Sequence, residues 1–342
     1  MLERLLLLWL TLLSLAAYFW DRWLPGVWDP FVDTRPLLDL LIGLTMFAIG
    51  SLLPKDEVRQ VVRRWPAVLS GTTVQYASMP LLAYGVARAF GFEGATLTGI
   101  IMVGCVPGAM ASNVLTLAAR ANVSYSVSLT TSATLLSPLM VPVALKLTLG
   151  QWRPVPVGDI GLSLLLTVVS PVVLGYASAR LWPRWDAVAR RWGSAVANLT
   201  ILWIIAIVVG LNRQRLGLFE PAILIALLVV NLAGYLAGNA GGRLLRLPTS
   251  MRRALTLEVG MQNAGLGTFL ALKVFGDEPA AAIPTAIYTF GCMFTGTVLA
   301  RLWAEFGRSE TPCGGSTADR EDGETDRPRE VQREREAEGE RR

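Results

Sequence analysis

Ten stretches of near-continuous apolar sequence, each long enough to cross a hydrocarbon layer, leave this chain few ways to fold. They run over approximately 3–20, 36–53, 66–90, 94–119, 123–149, 157–182, 193–212, 217–245, 250–275 and 279–304. Backbone amides and carbonyls in lipid have no water to bond, so spans of this kind must be helices. With 53% hydrophobic residues and a mean hydropathy of +0.47, the composition agrees with an all-α polytopic membrane protein. No small-residue cleavage site precedes the next polar segment after Leu5 to Trp20, so that stretch reads as the first span rather than a leader.

Ten spans put both termini on one side, and the basic residues say which. One set of loops holds Arg22, Arg35, Arg88, Lys146, Arg153, Arg213, Arg215 and Lys273. The other holds Lys55, Arg59, Arg63, Arg64, Arg120, Arg180, Arg184, Arg190, Arg191, Arg243, Arg246, Arg252 and Arg253. The larger set marks the cytoplasmic face, which predicts cytoplasmic termini and a multi-pass protein of the inner (cell) membrane. Five spans followed by five more give the halves, about 1–150 and about 155–306, opposite orientations. The transmembrane domain is expected over 1–308. Beyond it, residues 309–342 are rich in Glu and Arg and nearly free of large apolar groups. Such a segment cannot bury enough surface to fold and reads as a disordered cytoplasmic tail.

The chain contains no histidine. That removes Ser-His catalysis, H-E-x-x-H zinc proteolysis and histidine proton relays together. No intramembrane aspartate pair suggests aspartyl proteolysis, since Asp39 and Asp159 both lie near span ends. Cys105, Cys292 and Cys313 have neither metal-ligand spacing nor an evident disulfide pairing. The formal charge of +5 follows from loop and tail residues and needs no nucleic-acid partner. The chain is therefore not expected to be an enzyme.

Glu258 is the residue that points to chemistry. It sits in the otherwise apolar run Leu257-Glu258-Val259-Gly260-Met261-Gln262-Asn263. A carboxylate at membrane depth costs about 2.5–3.5 kcal/mol on insertion scales, so it persists where it faces a cavity, a partner or a cation. Gly260, Gly265 and two carboxamides follow closely and predict an interrupted helix. In the other half, Pro107 and Gly108 predict a second break, with Ser112 and Asn113 one turn beyond. Proline kinks are ordinary in membrane helices, but paired breaks in corresponding spans mark the binding site of many secondary transporters. Ser126 and Thr130, four apart, share a face of the fifth span. The other hydroxyls there, Ser124, Ser128, Thr131, Ser132 and Thr134, are read as close-packing groups. Gln75 lies mid-span in the third segment. Asn198 and Asn231 are read as interhelical hydrogen-bonding residues.

Four motifs occur in the order found in one family. They are Gly43-Leu44-Thr45-Met46-Phe47-Ala48-Ile49-Gly50, Gln75 with Met79-Pro80, Pro107-Gly108 with Ser112-Asn113, and Glu258-Val259-Gly260-Met261-Gln262-Asn263. Over residues 1–305 the chain resembles the bile acid:sodium symporter family, in its bacterial type. The resemblance implies ten transmembrane helices as two inverted five-helix repeats, forming a panel and a core domain. The discontinuous fourth and ninth helices would cross at mid-membrane. It also implies one Na⁺ site from Ser112, Asn113, Ser126, Thr130 and Glu258, and another from Gln75, Glu258, Gln262 and the carbonyls of Val259 and Met261. Gly108, Ala109, Met110, Asn263 and Phe294 are expected to meet substrate.

Hard oxygen donors around one negative charge suit an alkali or alkaline-earth cation. Two Na⁺ beside one carboxylate leave a positive site, and helix N-termini add to it, so the expected partner is a small organic anion. Its size ranges from bile-acid-like to a smaller carboxylate such as pantoate or a keto acid. Gly291 to Gly296 offers mainly apolar groups, and Met110 replaces a smaller residue, so bile acids do not follow from the resemblance. No cofactor is expected apart from Na⁺ as coupling ion, and no oligomeric state is specified. Two other readings remain open. Cys105 before the break suits an arsenite-type efflux carrier of the same superfamily, and a tail on a transporter-like fold suits a membrane sensor.

Overall fold

The computed structural model describes residues 6–54, 57–150, 154–216 and 221–306. The charged tail, and Lys55 and Arg153 from the loop comparison, lie outside them. Among the described residues every regular element is helical. In order these are α1 (Leu6–Trp23), α2 (Pro30–Asp33), α3 (Leu38–Leu52), α4 (Glu57–Arg63), α5 (Trp65–Ala89), α6 (Gly94–Cys105), α7 (Ala111–Ala118) and α8 (Val123–Leu149). Then follow α9 (Val157–Leu164), α10 (Ser170–Leu181), α11 (Pro183–Leu211), α12 (Arg213–Leu216), α13 (Pro221–Leu244), α14 (Thr249–Gly260), α15 (Ala264–Val274) and α16 (Ile283–Phe306).

Among the described residues, six helices are long and apolar enough to cross a membrane, counting α9 with α10 and the short turns that lead into α3 and α16. The remaining four apolar segments differ for visible reasons. Segments 94–119 and 250–275 are each split in two, leaving the short apolar helices α6 and α15. The 25-residue α5 carries Ser70, Thr72, Thr73, Gln75 and Ser78, and the 18-residue α1 ends on Asp21 and Arg22. Leu81, Leu139, Leu147, Leu174, Leu181 and Leu236 turn outward, with Leu147 79% exposed. An apolar exterior on this scale fits a protein whose solvent is lipid.

The expected boundary at residue 193 is corrected: α11 begins at Pro183, because Pro183 to Trp192 forms a charged amphipathic extension of the apolar stretch. Between α9 and α10, one π-helical turn over Leu165–Val169 precedes Pro171, which has no N–H to continue the ladder. In α8, Pro138 leaves the Thr134 carbonyl without its usual donor, and Ser137 Oγ supplies one at 2.7 Å.

Two packing groups are visible. α3 packs on α10 and α11, and α1 on α11. α5, α6, α8, α13 and α14 pack on one another. The Met46-Phe47-Ala48-Ile49-Gly50 motif belongs to the first group. A Cβ on Gly50 would lie 2.1 Å from the Val172 carbonyl oxygen, and one on Gly175 would lie 2.1 Å from that of Phe47. Glycine on both helices is what lets α3 and α10 touch backbone to backbone. A similar seam joins α13 to α14, where Gly234 and Gly238 abut the backbone at Val259–Gly260 and Leu255–Thr256.

Candidate functional site

Both expected breaks are present, and they meet. α6 stops at Cys105 and α7 starts at Ala111; α14 stops at Gly260 and α15 starts at Ala264. The chain between them is extended and forms an isolated antiparallel bridge between Gly108 and Gln262. Ala109 N–H donates to the Met261 carbonyl at 2.7 Å, and Asn263 N–H donates to the Pro107 carbonyl at 2.8 Å. Helix termini leave backbone groups without intrahelical partners. Here each break satisfies part of the other's deficit. Asn263 does more: its Oδ1 accepts from Leu266 N and so caps α15.

Glu258 lies two residues before the end of α14 and is 0% exposed. Ser112 Oγ donates to its Oε2 at 2.5 Å and Thr130 Oγ1 at 2.8 Å. Oε1 has no hydrogen-bond partner and faces the Gly108 backbone, where a Cβ would fall 2.1 Å from it. Gly108 has no positive φ. Its glycine is required by this close approach, not by the unusual backbone angles that the sequence alone suggests at a break.

The surroundings hold more oxygen than hydrogen. Thr130 Oγ1 has one proton, yet Glu258 Oε2, the Ser126 carbonyl at 3.1 Å and Asn113 Oδ1 at 3.4 Å all lie within its reach. Thr116 Oγ1 donates to Ser126 Oγ at 3.2 Å. On the other flank, Gln75 Nε2 donates to Gln262 Oε1 at 3.4 Å, and Gln262 Nε2 to the Val259 carbonyl at 2.6 Å. Lone pairs converging around one carboxylate are what a hard cation's coordination shell requires. Among the described residues, no group of three His, Cys, Asp or Glu side chains is gathered elsewhere to hold a metal ion.

Of the sequence-predicted residues, Ser112, Asn113, Ser126, Thr130 and Glu258 are joined by these hydrogen bonds in one group, and Gln75 and Gln262 in a second. Val259 and Met261 carbonyls lie in the same stretch, each already accepting one bond. Ala109, Met110 and Asn263 are half-buried beside the breaks, and Gly108 is buried between them. Phe294 is 63% exposed on α16, whereas its neighbours Cys292 and Gly296 are buried. Cys105 is buried with its thiol 3.9 Å from Thr148 Oγ1, a packing contact. The sequence reading missed Thr116, whose position ten residues before Ser126 was the available signal. It also left Asn231 unconnected. The interhelical bonding expected of Asn231 is present, and its Nδ2 donates to the Gly260 carbonyl at the α14 break, at 2.8 Å. A concavity of about 670 Å³ beside Phe47, Trp182 and Trp185 shares no lining residue with this cluster.

The sequence family model described as the sodium bile acid symporter family matches residues 39–217. The chain is 34% identical over 270 residues to the uncharacterized sodium-dependent transporter YocS of Bacillus subtilis (strain 168), covering 78% of this chain and 83% of that protein. The chain belongs to the sodium bile acid symporter family. It is also 30% identical over 264 residues to the ileal sodium/bile acid cotransporter of Oryctolagus cuniculus, covering 76% of this chain and 74% of that protein. A probable sodium/metabolite cotransporter, BASS2 of the rice chloroplast (Oryza sativa subsp. japonica), is 27% identical over 285 residues, covering 82% and 68%. The match to YocS, over 78% of the chain, is long enough that it includes both helix breaks. As a member of this family the chain is an integral, multi-pass membrane transporter and not an enzyme.

Proposed function

We propose that this family member is a sodium-coupled symporter that takes up a small organic anion by alternating access. The observation that carries the reading is Glu258: a fully buried carboxylate, with one oxygen unpartnered, placed between two broken helices whose polar groups converge on it. One Na⁺ would be held by Ser112, Asn113, Ser126, Thr130 and Glu258. A second would be held by Gln75, Glu258, Gln262 and the carbonyls of Val259 and Met261. Ala109, Met110 and Asn263, with Gly108 and the exposed Phe294, are assigned to the substrate.

The chemistry follows from charge. Two Na⁺ and one carboxylate sum to one positive charge in a low-dielectric site, which favours an anion next to it. The start of α7 adds the positive end of a helix dipole to the same place. Each net positive charge moved inward gains about 2.3 kcal/mol per 100 mV of membrane potential. Substrate is therefore drawn in together with sodium, whose binding raises the affinity for the anion. A carboxylate smaller than a bile acid, of the pantoate or keto-acid kind, is as compatible with this site as a bile acid.

The proposed frame is ten membrane-crossing segments in two inverted repeats, about 1–150 and 155–306, in the inner (cell) membrane with cytoplasmic termini. The six long apolar helices are joined by α1, α5 and the broken pairs α6–α7 and α14–α15 to make ten. The α3/α10/α11/α1 group would be the panel and the group around α5, α8, α13 and α14 the core. The test is uptake of small carboxylates into proteoliposomes. Glu258→Gln should abolish sodium dependence, and a proton gradient in place of sodium should drive nothing. Sodium-driven uptake by Glu258→Gln would refute the assignment.

A further inference from the structure

At the end of α14, the Gly260 carbonyl is held by two side chains from elsewhere in the fold. Asn231 Nδ2 on α13 donates to it at 2.8 Å and Tyr288 Oη on α16 at 2.7 Å. The relay continues outward. Thr295 Oγ1, two turns along α16, donates to Asn231 Oδ1 at 2.7 Å. Tyr235 Oη lies 3.2 Å from Thr295 Oγ1 and can donate to it in turn. With a donor at its oxygen and an acceptor at its nitrogen, the Asn231 amide has one orientation that satisfies both. Asn231 and Tyr288 are each 1% exposed.

The peptide group that this relay grips is the one leaving the helix. Gly260 C=O and Met261 N–H share a plane, and the N–H end is tied to the Leu257 carbonyl at 2.9 Å. With both ends pinned, the plane cannot rotate. The carbonyls on the two adjacent peptides are those of Val259 and Met261. Tight contact reinforces the grip: a Cβ on Gly260 would lie 2.1 Å from the Tyr235 ring. Residues 231, 234, 235 and 238 of α13 thus form one face turned to the α14 terminus.

We propose that Asn231, Tyr288, Thr295 and Tyr235 are positioning residues for cation binding. They fix the Gly260–Met261 peptide so that the Val259 and Met261 carbonyls stay preset beside Glu258, and they tie that geometry to α16. The inference rests on the sodium-coupled reading above. It assigns the polar groups of the last helix to ion affinity rather than to direct contact with substrate.

The experiment is a sodium titration of thermal unfolding on the purified full chain, with Na⁺ replacing K⁺ at constant ionic strength. In the parent protein a sodium-specific rise in melting temperature defines a midpoint concentration; no such rise would overturn the sodium reading and the relay with it. Given a sodium response, Tyr288→Phe and Thr295→Val should each raise the midpoint about five- to tenfold, the worth of an ordinary buried hydrogen bond. Thr295→Ser keeps the hydroxyl and should restore the parental midpoint. Unchanged midpoints in both variants, even with a lower melting temperature in K⁺, would overturn the positioning role. Should Tyr288→Phe fail to fold, Thr295→Val, which removes no contact to Gly260 itself, decides the matter.

Discussion

Gly108→Ala is the smallest change that tests whether the buried carboxylate and the α6–α7 break form one device. The new methyl carbon would start 2.1 Å from Glu258 Oε1, 2.6 Å from Cδ and 3.2 Å from Cγ. Non-bonded heavy atoms sit comfortably at roughly 3.5 Å, so a gap of more than about 1 Å must open. Two movements can open it. If Glu258 swings away, its bonds from Ser112 and Thr130 are lost, each a hydrogen bond to a charged group worth about 1.5–3 kcal/mol. If the backbone parts instead, the Ala109–Met261 and Asn263–Pro107 bonds that stitch the breaks together go. The first route costs at least about 3 kcal/mol of organisation at the site, more than a hundredfold in sodium affinity, and the second about 1–3 kcal/mol, at least about fivefold. Backbone strain adds nothing, since Gly108 is not in the left-handed region. The assay is the sodium midpoint, read from sodium-specific thermal stabilisation and from uptake. A Gly108→Ala protein with a midpoint within about twofold of the parent would refute the geometry on which the site is built.

Two further outcomes follow from the same geometry. Thr116→Val removes the donor to Ser126 Oγ with little change in shape, and should raise the sodium midpoint about fivefold while leaving the order of preferred substrates unchanged; competition uptake checks both. The Lys273–Asp39 pair has side chains 35% and 58% exposed, so it is worth at most about 1 kcal/mol. Replacing both, as Asp39→Asn with Lys273→Gln, should change the initial transport rate by less than about fivefold. The parent's rate should move in the same direction as ionic strength rises. A larger loss would assign the pair a role beyond a screened surface contact.

What could be read from the chain alone was whatever is encoded within one helical turn. Pro107 removes a backbone donor, and Glu258 carries its cost wherever it is placed, so the α6–α7 break and the acid were legible. The break after Gly260 has no proline, but Gly260 beside capping Asn263 is a local signal of the same kind. Ser126 and Thr130 were legible because four residues set a shared face. The Asn231 relay was not, because its partners stand 29, 57 and 64 residues away and meet only through the packing of α13 on α14 and α16. Gly50 and Gly175 could be counted in the sequence, but that each clears the other helix's backbone is a property of the pair. The exposure of Phe294 likewise depends on how α16 is rotated about its axis, which no local pattern in Gly291 to Gly296 fixes.

The way the breaks are joined constrains how a transport cycle can run. The Gly108–Gln262 bridge ties α6–α7 to α14–α15 by backbone hydrogen bonds, and Ser112 and Thr130 tie both to α8 through Glu258. A binding site so stitched cannot open to one side and then the other by parting its own ligands without forfeiting several bonds to a buried charge at once. The polar contacts of α15, which continues the stitched break, and of the turn after it with the α1, α3, α10 and α11 group are of a different kind. Near the end of α15 they include Lys273 to Asp39, Arg35 to the Gly276 carbonyl at 3.3 Å and Asn212 Nδ2 to the Pro279 carbonyl at 3.2 Å. These are single polar ties, of which the Lys273–Asp39 pair is open to solvent, and exchanging them costs little beside dismantling the cluster around Glu258. In the proposed cycle the low-energy path is therefore movement of the stitched core as one body against α1, α3, α10 and α11, with the ions and their ligands carried intact.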